Sequence, residues 1–358
     1  MLLPLSDGGP GFLDVLERAL GGTTVAVTVE DPLGRPVPAA VLMVDSEGGR
    51  TAEGGRTAYV ESAQACGLHL LGAEERDPRV TSTYGVGQLL DAALAEGATR
   101  IVVGLGGSGT NDGGAGMLAA LGVGDRERLG RGGLSLAALG EGALTGLEQA
   151  RARLRGVSLV LATDVDVPLL GFHGASAVFA PQKGATPEQA QQLESALGRL
   201  TEVVQRSMPA GRDLLSGQAR RLDREPGAGA AGGLGYGLML VGGRRVSGVE
   251  SVLEAVGFPD RLRAVDLVVT GEGTFDWQSL RGKVVAGVAQ AALAAAVPTV
   301  VIAGQALVGR REAMALGISG TYAVAERPDQ VSAALADPSG TLAARAGRVA
   351  TTWSPRRS

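Results

Sequence analysis

Asn111 and Asp112 interrupt a run of glycines, Gly104-Leu105-Gly106-Gly107-Ser108-Gly109-Thr110-Asn111-Asp112-Gly113-Gly114-Ala115-Gly116. The β-branched residues Ile101-Val102-Val103 precede the run, and residues 117–121 after it read as a helix. Glycine lets the backbone approach a ligand and turn with positive φ, and a helix start offers unpaired N–H groups, so strand, glycine loop and helix together can hold an anion. Gly104-x-Gly106-x-x-Gly109 fits the dinucleotide fingerprint, with Asp125 in about the right later place. An acidic residue in a pyrophosphate loop would repel its ligand unless a metal ion lay between, and here Asp112 intervenes before any helix starts. Asp112 therefore points to a metal–phosphate or hydroxyl-binding loop; its plainer reading is a helix N-cap.

Asp164 stands just past the apolar run 157–162, at the carboxyl end of a strand, where open α/β sheets place their ligands. A carboxylate there can take a proton from a substrate hydroxyl or hold Mg²⁺. Glu272 and Asp276 follow another strand-like run, 267–270, and Lys283 comes seven residues after Asp276. Acids for metal and base, with a lysine for phosphate charge, are what phosphoryl transfer requires. Read singly, each acid is also a loop cap or a solvated turn. A Walker-type loop is excluded: Val284 follows Lys283 where Ser or Thr is needed, and Trp277 occupies the first glycine position. His69 and His173, the only histidines, read as structural, and Cys66-x-x-His69 lacks further zinc ligands.

The composition sharpens this choice of residues. Of 33 basic residues only Lys183 and Lys283 are lysine, and Asn111 is the single asparagine. In a chain so biased, the survivors mark places where a substitute fails, because arginine's broad fork does not replace a compact ammonium. Each survivor sits beside glycine: Thr110-Asn111-Asp112-Gly113, Gln182-Lys183-Gly184 and Arg281-Gly282-Lys283. The net charge of −4, with no basic block, argues against nucleic acid. No run is long and apolar enough to span a bilayer and no signal peptide is visible. Lone Cys66 permits no intrachain disulfide, which suits the cytoplasm.

The elements that must position these residues follow from pattern. Residues 11–20 read as a helix, and 23–29 and 37–44 as a hairpin around Asp31-Pro32-Leu33-Gly34. Residues 56–60 form a further strand, 63–71 are weakly helical, and Thr81-Ser82-Thr83 cap a helix to about residue 96. Residues 126–154 show no strong period. Thr186, Pro187 and Glu188 start a long amphipathic helix to about residue 208. A second glycine loop, Pro226-Gly227-Ala228-Gly229-Ala230-Ala231-Gly232-Gly233, leads into an apolar run. From residue 266 the order β-α-β-α-β predicts a parallel sheet. Length suggests two domains. The expected partition is a discontinuous, three-layer parallel α/β domain of flavodoxin or Rossmann type, 1–21 with 248–358, and an inserted mixed α/β domain, 22–247.

These motifs, taken together and in order, resemble the bacterial glycerate kinase family, type I. The carriers are 106–117, Pro181-Gln182-Lys183-Gly184-Ala185, 226–233, and Thr270-Gly271-Glu272-Gly273 followed by Asp276, Gln278-Ser279 and Gly282-Lys283. Arg76-Asp77-Pro78 and the early turn Asp7-Gly8-Gly9 match as well. The resemblance implies an ATP- and Mg²⁺-dependent kinase for D-glycerate, a monomer or homodimer, with its site in a cleft between two domains. It implies Asp164 as base for the glycerate hydroxyl, with Lys283 and Asp112 beside it as catalytic groups. It implies Asp7, Gly106, Gly107, Ser108, Thr110, Asn111, Lys183, Gly229, Gly232, Gly233, Glu272 and Asp276 as binding residues, and Asp164 and Glu272 as Mg²⁺ ligands. Family members open with a strand, an Asp-Ser-x-Lys turn and a helix before the Asp-Gly-Gly segment; the expectation here is a start inside the second strand. Val167, Thr274 and Trp277 stand where the family has Asn, Arg and Ser. Whether the 2- or the 3-hydroxyl is phosphorylated stays open. Two other readings stand beside this one: an NAD-dependent oxidoreductase using Gly104–Gly109, and an inactive sugar-acid-binding protein.

Overall fold

The computed structural model describes residues 1–45, 55–208, 221–280 and 283–354. The chain divides into two compact units, Met1–Val252 and Leu253–Ser358.

The first unit is built on a six-stranded sheet in chain order: β1 (Thr23–Glu30), β2 (Pro36–Asp45), β3 (Arg56–Glu61), β4 (Arg100–Gly104), β5 (Ser158–Ala162) and β6 (Arg244–Val246). β1, β2 and β3 pair antiparallel, as the predicted hairpin requires; β3 to β6 run parallel. Because side chains alternate along a strand, each strand serves both faces. Val41, Met43, Ala58, Val60, Ile101, Val103, Leu159 and Leu161 join one core with Leu89 and Leu90 of the helix Tyr84–Ala95. From the other face Tyr59 meets Phe12, ring centroids 6.2 Å apart, on the helix Phe12–Leu20. That helix start is also held by the sheet, since Leu13 N–H donates to Glu61 Oε2 at 3.2 Å. These contacts place residues 1–21 with the first unit, which differs from the expected partition. The long helix Pro187–Ser207 begins as predicted: Thr186 Oγ1 accepts from Gln189 N–H at 3.2 Å, and Gln189 Oε1 accepts from Thr186 N–H at 2.8 Å. Residues 126–154, without a strong period, fold as the short helices Arg126–Leu129 and Leu147–Arg153 around a 3₁₀ segment, Gly133–Ala138.

In the second unit β7 (Val268–Thr270), β9 (Thr299–Ala303) and β11 (Ile318–Ala323) form a parallel sheet in the order β11-β9-β7. β8 (Thr274–Phe275) and β10 (Gln305–Ala306) make a short parallel ledge beyond it. Val301 and Ala303 pack with Val285 and Ala289 of the helix Val284–Ala294, while Val300 and Ile302 face Val349 of the C-terminal helix Pro338–Trp353. The parallel sheet expected from residue 266 onward is the one observed.

Candidate active site

At the carboxyl ends of β4 and β5 three segments of the first unit meet. The Asp7-Gly8-Gly9 turn lies against the first glycine loop so closely that a Cβ on Gly106 would stand 2.6 Å from Gly9 Cα, and one on Gly8 2.8 Å from the Ala162 carbonyl oxygen. Glycine is required at both places by backbone contact. Asp7 is exposed, with one oxygen accepting from Gly9 N–H at 3.2 Å. Asp164, half-buried, accepts at Oδ1 from the Ser247 hydroxyl (2.7 Å) and Gly248 N–H (3.1 Å), and at Oδ2 from Val249 N–H (3.1 Å). It thereby caps the helix Gly248–Ala255. Burial raises its pKa, Ser247 and the two N–H groups oppose that, and the charge of Asp7 adds to the rise. A carboxylate offers about four acceptor positions, so three donors leave room for one more, as a substrate hydroxyl requires. Beside it, the N–H groups of Gly106, Gly107 and Ser108 make no hydrogen bond among the described residues, and Gly107 is exposed.

Beneath this surface the glycine loops interlock. Asp112 is fully buried and accepts four hydrogen bonds: at Oδ2 from Thr83 N–H (2.8 Å), the Thr83 hydroxyl (2.9 Å) and Gly116 N–H (3.1 Å), and at Oδ1 from Gly114 N–H (3.0 Å). Burial pushes its pKa up and these donors push it down. The N-cap position of the helix Ala115–Ala120 falls on Gly114; Asp112, two residues before it, faces inward and secures that start through the N–H groups of Gly114 and Gly116. Thr83 belongs to the segment expected to cap its own helix; its hydroxyl goes to Asp112 instead, and that pairing across 29 residues carries no local signal. Lys183, 2% exposed, donates from Nζ to Ser108 Oγ (2.9 Å) and to the Thr110 carbonyl (2.7 Å). Burial lowers its pKa to about 8, against the opposing influence of Cys66 and Asp112. Burial likewise pushes the Cys66 thiol up to about 12. Asn111 Nδ2 donates to Ser176 Oγ at 3.0 Å, while Asn111 Oδ1 and Thr110 Oγ1 are buried without a partner. The second loop enters through three successive residues with positive φ, Ala231 (51°), Gly232 (67°) and Gly233 (89°). Gly232 presents its carbonyl to Gly113 N–H at 3.1 Å, and the Gly229 N–H donates to Val167 at 3.0 Å. Thr110, Asn111, Asp112, Lys183, Gly229, Gly232 and Gly233 are therefore a buried layer that shapes the surface carrying Asp7, Gly106, Gly107, Ser108 and Asp164.

Ser247 was missed by sequence reasoning. Its signal was a capping pattern, Ser247-x-x-Glu250, and its Oγ accepts from Glu250 N–H at 3.1 Å while donating to Asp164. His69 and His173 are exposed.

In the second unit Glu272 follows β7, its backbone carbonyl accepting from Gly304 N–H at 3.1 Å, while its Oε1 is buried without a partner. Asp276 Oδ1 accepts from Gln278 N–H (2.8 Å) and Ser279 N–H (3.3 Å), folding the loop after β8 back on itself. Lys283 precedes the helix Val284–Ala294, with Nζ 3.4 Å from Gln278 Oε1. Arg281 and Gly282, part of the same motif, lie outside the described residues.

Known proteins resolve the choice among phosphate, dinucleotide and sugar-acid readings. The model of the glycerate kinase family matches residues 1–354. A glycerate kinase of Halalkalibacterium halodurans is 39% identical over 359 residues, covering 98% of this chain and 89% of that protein. Glycerate 2-kinase of Escherichia coli K12 is 39% identical over 307 residues, 84% of this chain and 75% of its own length. The crystal structure of a Salmonella typhimurium LT2 protein described as a glycerate kinase 2 superposes with a TM-score of 0.71 at 36% identity, covering 98% of this chain and 87% of that one. The motifs that carried the resemblance thus sit in a fold shared along almost the whole length, and the chain belongs to the glycerate kinase family.

Proposed function

We propose that this protein transfers the γ-phosphoryl group of ATP to a hydroxyl of D-glycerate. The observation that carries this reading is Asp164: a half-buried carboxylate fixed by three donors, with one acceptor position open, at the end of a strand next to uncommitted loop N–H groups. Such a group accepts the hydroxyl proton as the oxygen attacks phosphorus. Phosphoryl transfer otherwise needs positioning and positive charge; the loop N–H groups offer the first on one unit and Lys283 the second on the other, for the carboxylate of glycerate and the phosphates of ATP. Asp7 lies beside the first glycine loop, Glu272 and Asp276 are proposed as binding residues on the second unit, and Asp112 acts by holding the loop.

Mg²⁺ fits the residues present. Among the described residues no group of three or more Asp, Glu, His or Cys could hold a metal alone. Mg²⁺ characteristically takes one or two carboxylates plus substrate phosphates, and each unit offers a carboxylate with a free oxygen position, Asp164 on the first and the unpartnered Oε1 of Glu272 on the second. When bound, the ion neutralises charge developing on the phosphate oxygens. Among the described residues no helix is long and apolar enough to cross a membrane, and the single buried cysteine suits a reducing compartment, so we place the enzyme in the cytoplasm, as a monomer or homodimer.

The test is an ATP-coupled assay with D-glycerate and NMR identification of the product, run with wild type and Asp164→Asn. Turnover by the wild type, with kcat at least about a hundredfold lower in the variant, is the expected result. Saturable NAD binding without ATP binding would instead support the oxidoreductase.

A further inference from the structure

We propose that Ser108 binds an anionic oxygen of a substrate, and that Lys183 is the positioning residue that turns its hydroxyl proton outward. The inference rests on the kinase reading above and names a contact within that site.

An ammonium has donors and no acceptor, so the 2.9 Å contact between Lys183 Nζ and Ser108 Oγ obliges the serine oxygen to accept. The serine proton must then point elsewhere. The other hydroxyls that hold this loop all donate into it: Ser62 to the Gly104 carbonyl (2.7 Å), Thr81 to the Gly109 carbonyl (2.9 Å) and Thr83 to Asp112 (2.9 Å). Ser108 alone among these four donates to nothing among the described residues, and at 8% exposed it lies just beneath the surface, next to the exposed Gly107. Its proton and the uncommitted N–H groups of Gly106, Gly107 and Ser108 are donors with no acceptor, the requirement for holding a carboxylate or phosphate oxygen.

Lys183 explains why this is a built arrangement. Its second bond, 2.7 Å to the Thr110 carbonyl, fixes the far side of the same loop. It forms no ion pair among the described residues, and the charge of Asp112, which it does not touch, only partly offsets the cost of burying it. An anion on the loop surface adds to that offset without touching the lysine. Arginine's larger planar fork does not fit the place of a compact ammonium here, which accounts for one of only two lysines in the chain.

The test measures binding of D-glycerate and, separately, of a non-hydrolysable ATP analogue by calorimetry, alongside KM for both substrates. Ser108→Ala is expected to weaken one of the two ligands about tenfold or more, the loss of one hydrogen bond to a charged group, and to raise its KM accordingly. The affected ligand distinguishes carboxylate from phosphate as the source of the oxygen. Lys183→Met should weaken the same ligand, and the double variant no more than the worse single one, because the lysine acts through the serine. Ser108→Thr, which keeps the hydroxyl, should retain most of the affinity, and the two serine variants decide the matter even if Lys183→Met does not fold. Unchanged affinity for both ligands in Ser108→Ala, or additive losses in the double variant, would overturn the assignment. A wild type that binds and phosphorylates no glycerate overturns the kinase reading itself, and is told apart because the failure precedes any substitution.

Discussion

Asp112→Asn separates a structural from a catalytic role for the acid in the first glycine loop. The carboxylate accepts four hydrogen bonds in a fully buried setting, three at Oδ2 and one at Oδ1. In the least damaging orientation the new amide nitrogen replaces Oδ1 and meets Gly114 N–H donor to donor. That lost charge-assisted bond costs about 2 kcal/mol, and the three bonds that become neutral cost about 1 kcal/mol each. Burial works in the other direction, since a neutral amide is easier to desolvate than the carboxylate whose pKa burial raises, which offsets about 1–2 kcal/mol. The net loss is about 3–4 kcal/mol, a fall of about 10 °C in the melting temperature of a unit this size. Differential scanning calorimetry measures it, and activity at 20 °C, well below the transition, measures catalysis in molecules still folded. An unchanged melting temperature with abolished activity would refute the reasoning and return Asp112 to the catalytic groups.

Gly232→Ala should be at least as destructive, at about 3–5 kcal/mol, because a Cβ at φ 67° is strained and is driven into the Thr110 carbonyl that also receives Lys183; thermal melts and turnover should fall together. Lys183 has its folded-state pKa lowered from 10.5 to about 8, so the folded chain holds fewer protons than the unfolded one between these values and stability rises with pH across that window. The lysine's share of that rise is about 2 kcal/mol between pH 7.5 and 10, with Cys66 and Asp112 the titratable groups facing the ammonium; Cys66, pushed up to about 12, works against it above pH 9 in either protein, so denaturant titrations at these two pH values should show wild type gaining about 2 kcal/mol relative to Lys183→Met. Ser247→Ala removes a 2.7 Å donor from Asp164, leaving burial and Asp7 to raise its pKa further, so the acid limb of the kcat profile should move to higher pH. An unmoved limb would mean that Asp164 is not the group whose ionisation the profile reports.

Much of the fold was legible because the signals were local. The hairpin of β1 and β2, the capped helix after Thr186 and the alternation after residue 266 all depend on residues adjacent in sequence. The placement of residues 1–21 was not legible, since it rests on Phe12 meeting Tyr59 and Leu13 meeting Glu61, contacts 47 and 48 positions apart. The candidate site shows the same division. Asp164 at a strand end and the paired glycine loops were visible as residue types in context, yet the depth of each residue was not. Ser108 and Thr110 look equivalent in the sequence and differ in the structure: one hydroxyl accepts from a buried ammonium, the other is sealed inside without a partner.

That difference in depth explains the abundance of glycine here better than flexibility does. The second loop approaches the first backbone to backbone, with a Cβ on Gly233 standing 2.7 Å from Gly113 Cα and one on Gly114 2.9 Å from Gly237 Cα. Side chains would hold the two loops apart, and the hydrogen bond from Gly113 N–H to Gly232 would be lost. Close contact removes the freedom that glycine ordinarily brings, so the loops are fixed before any ligand arrives. Asp112 and Lys183 complete the same work with opposite charges, the carboxylate gathering N–H groups inward and the ammonium gathering a carbonyl and a hydroxyl. What remains uncommitted, the N–H groups of residues 106–108 and one proton of Ser108, is donor only. The loop thus offers donors where its own acceptors have been drawn inward, an arrangement suited to anionic oxygen, and on the proposed reading Asp164, at the next strand end, is the acceptor for the proton that the substrate must lose.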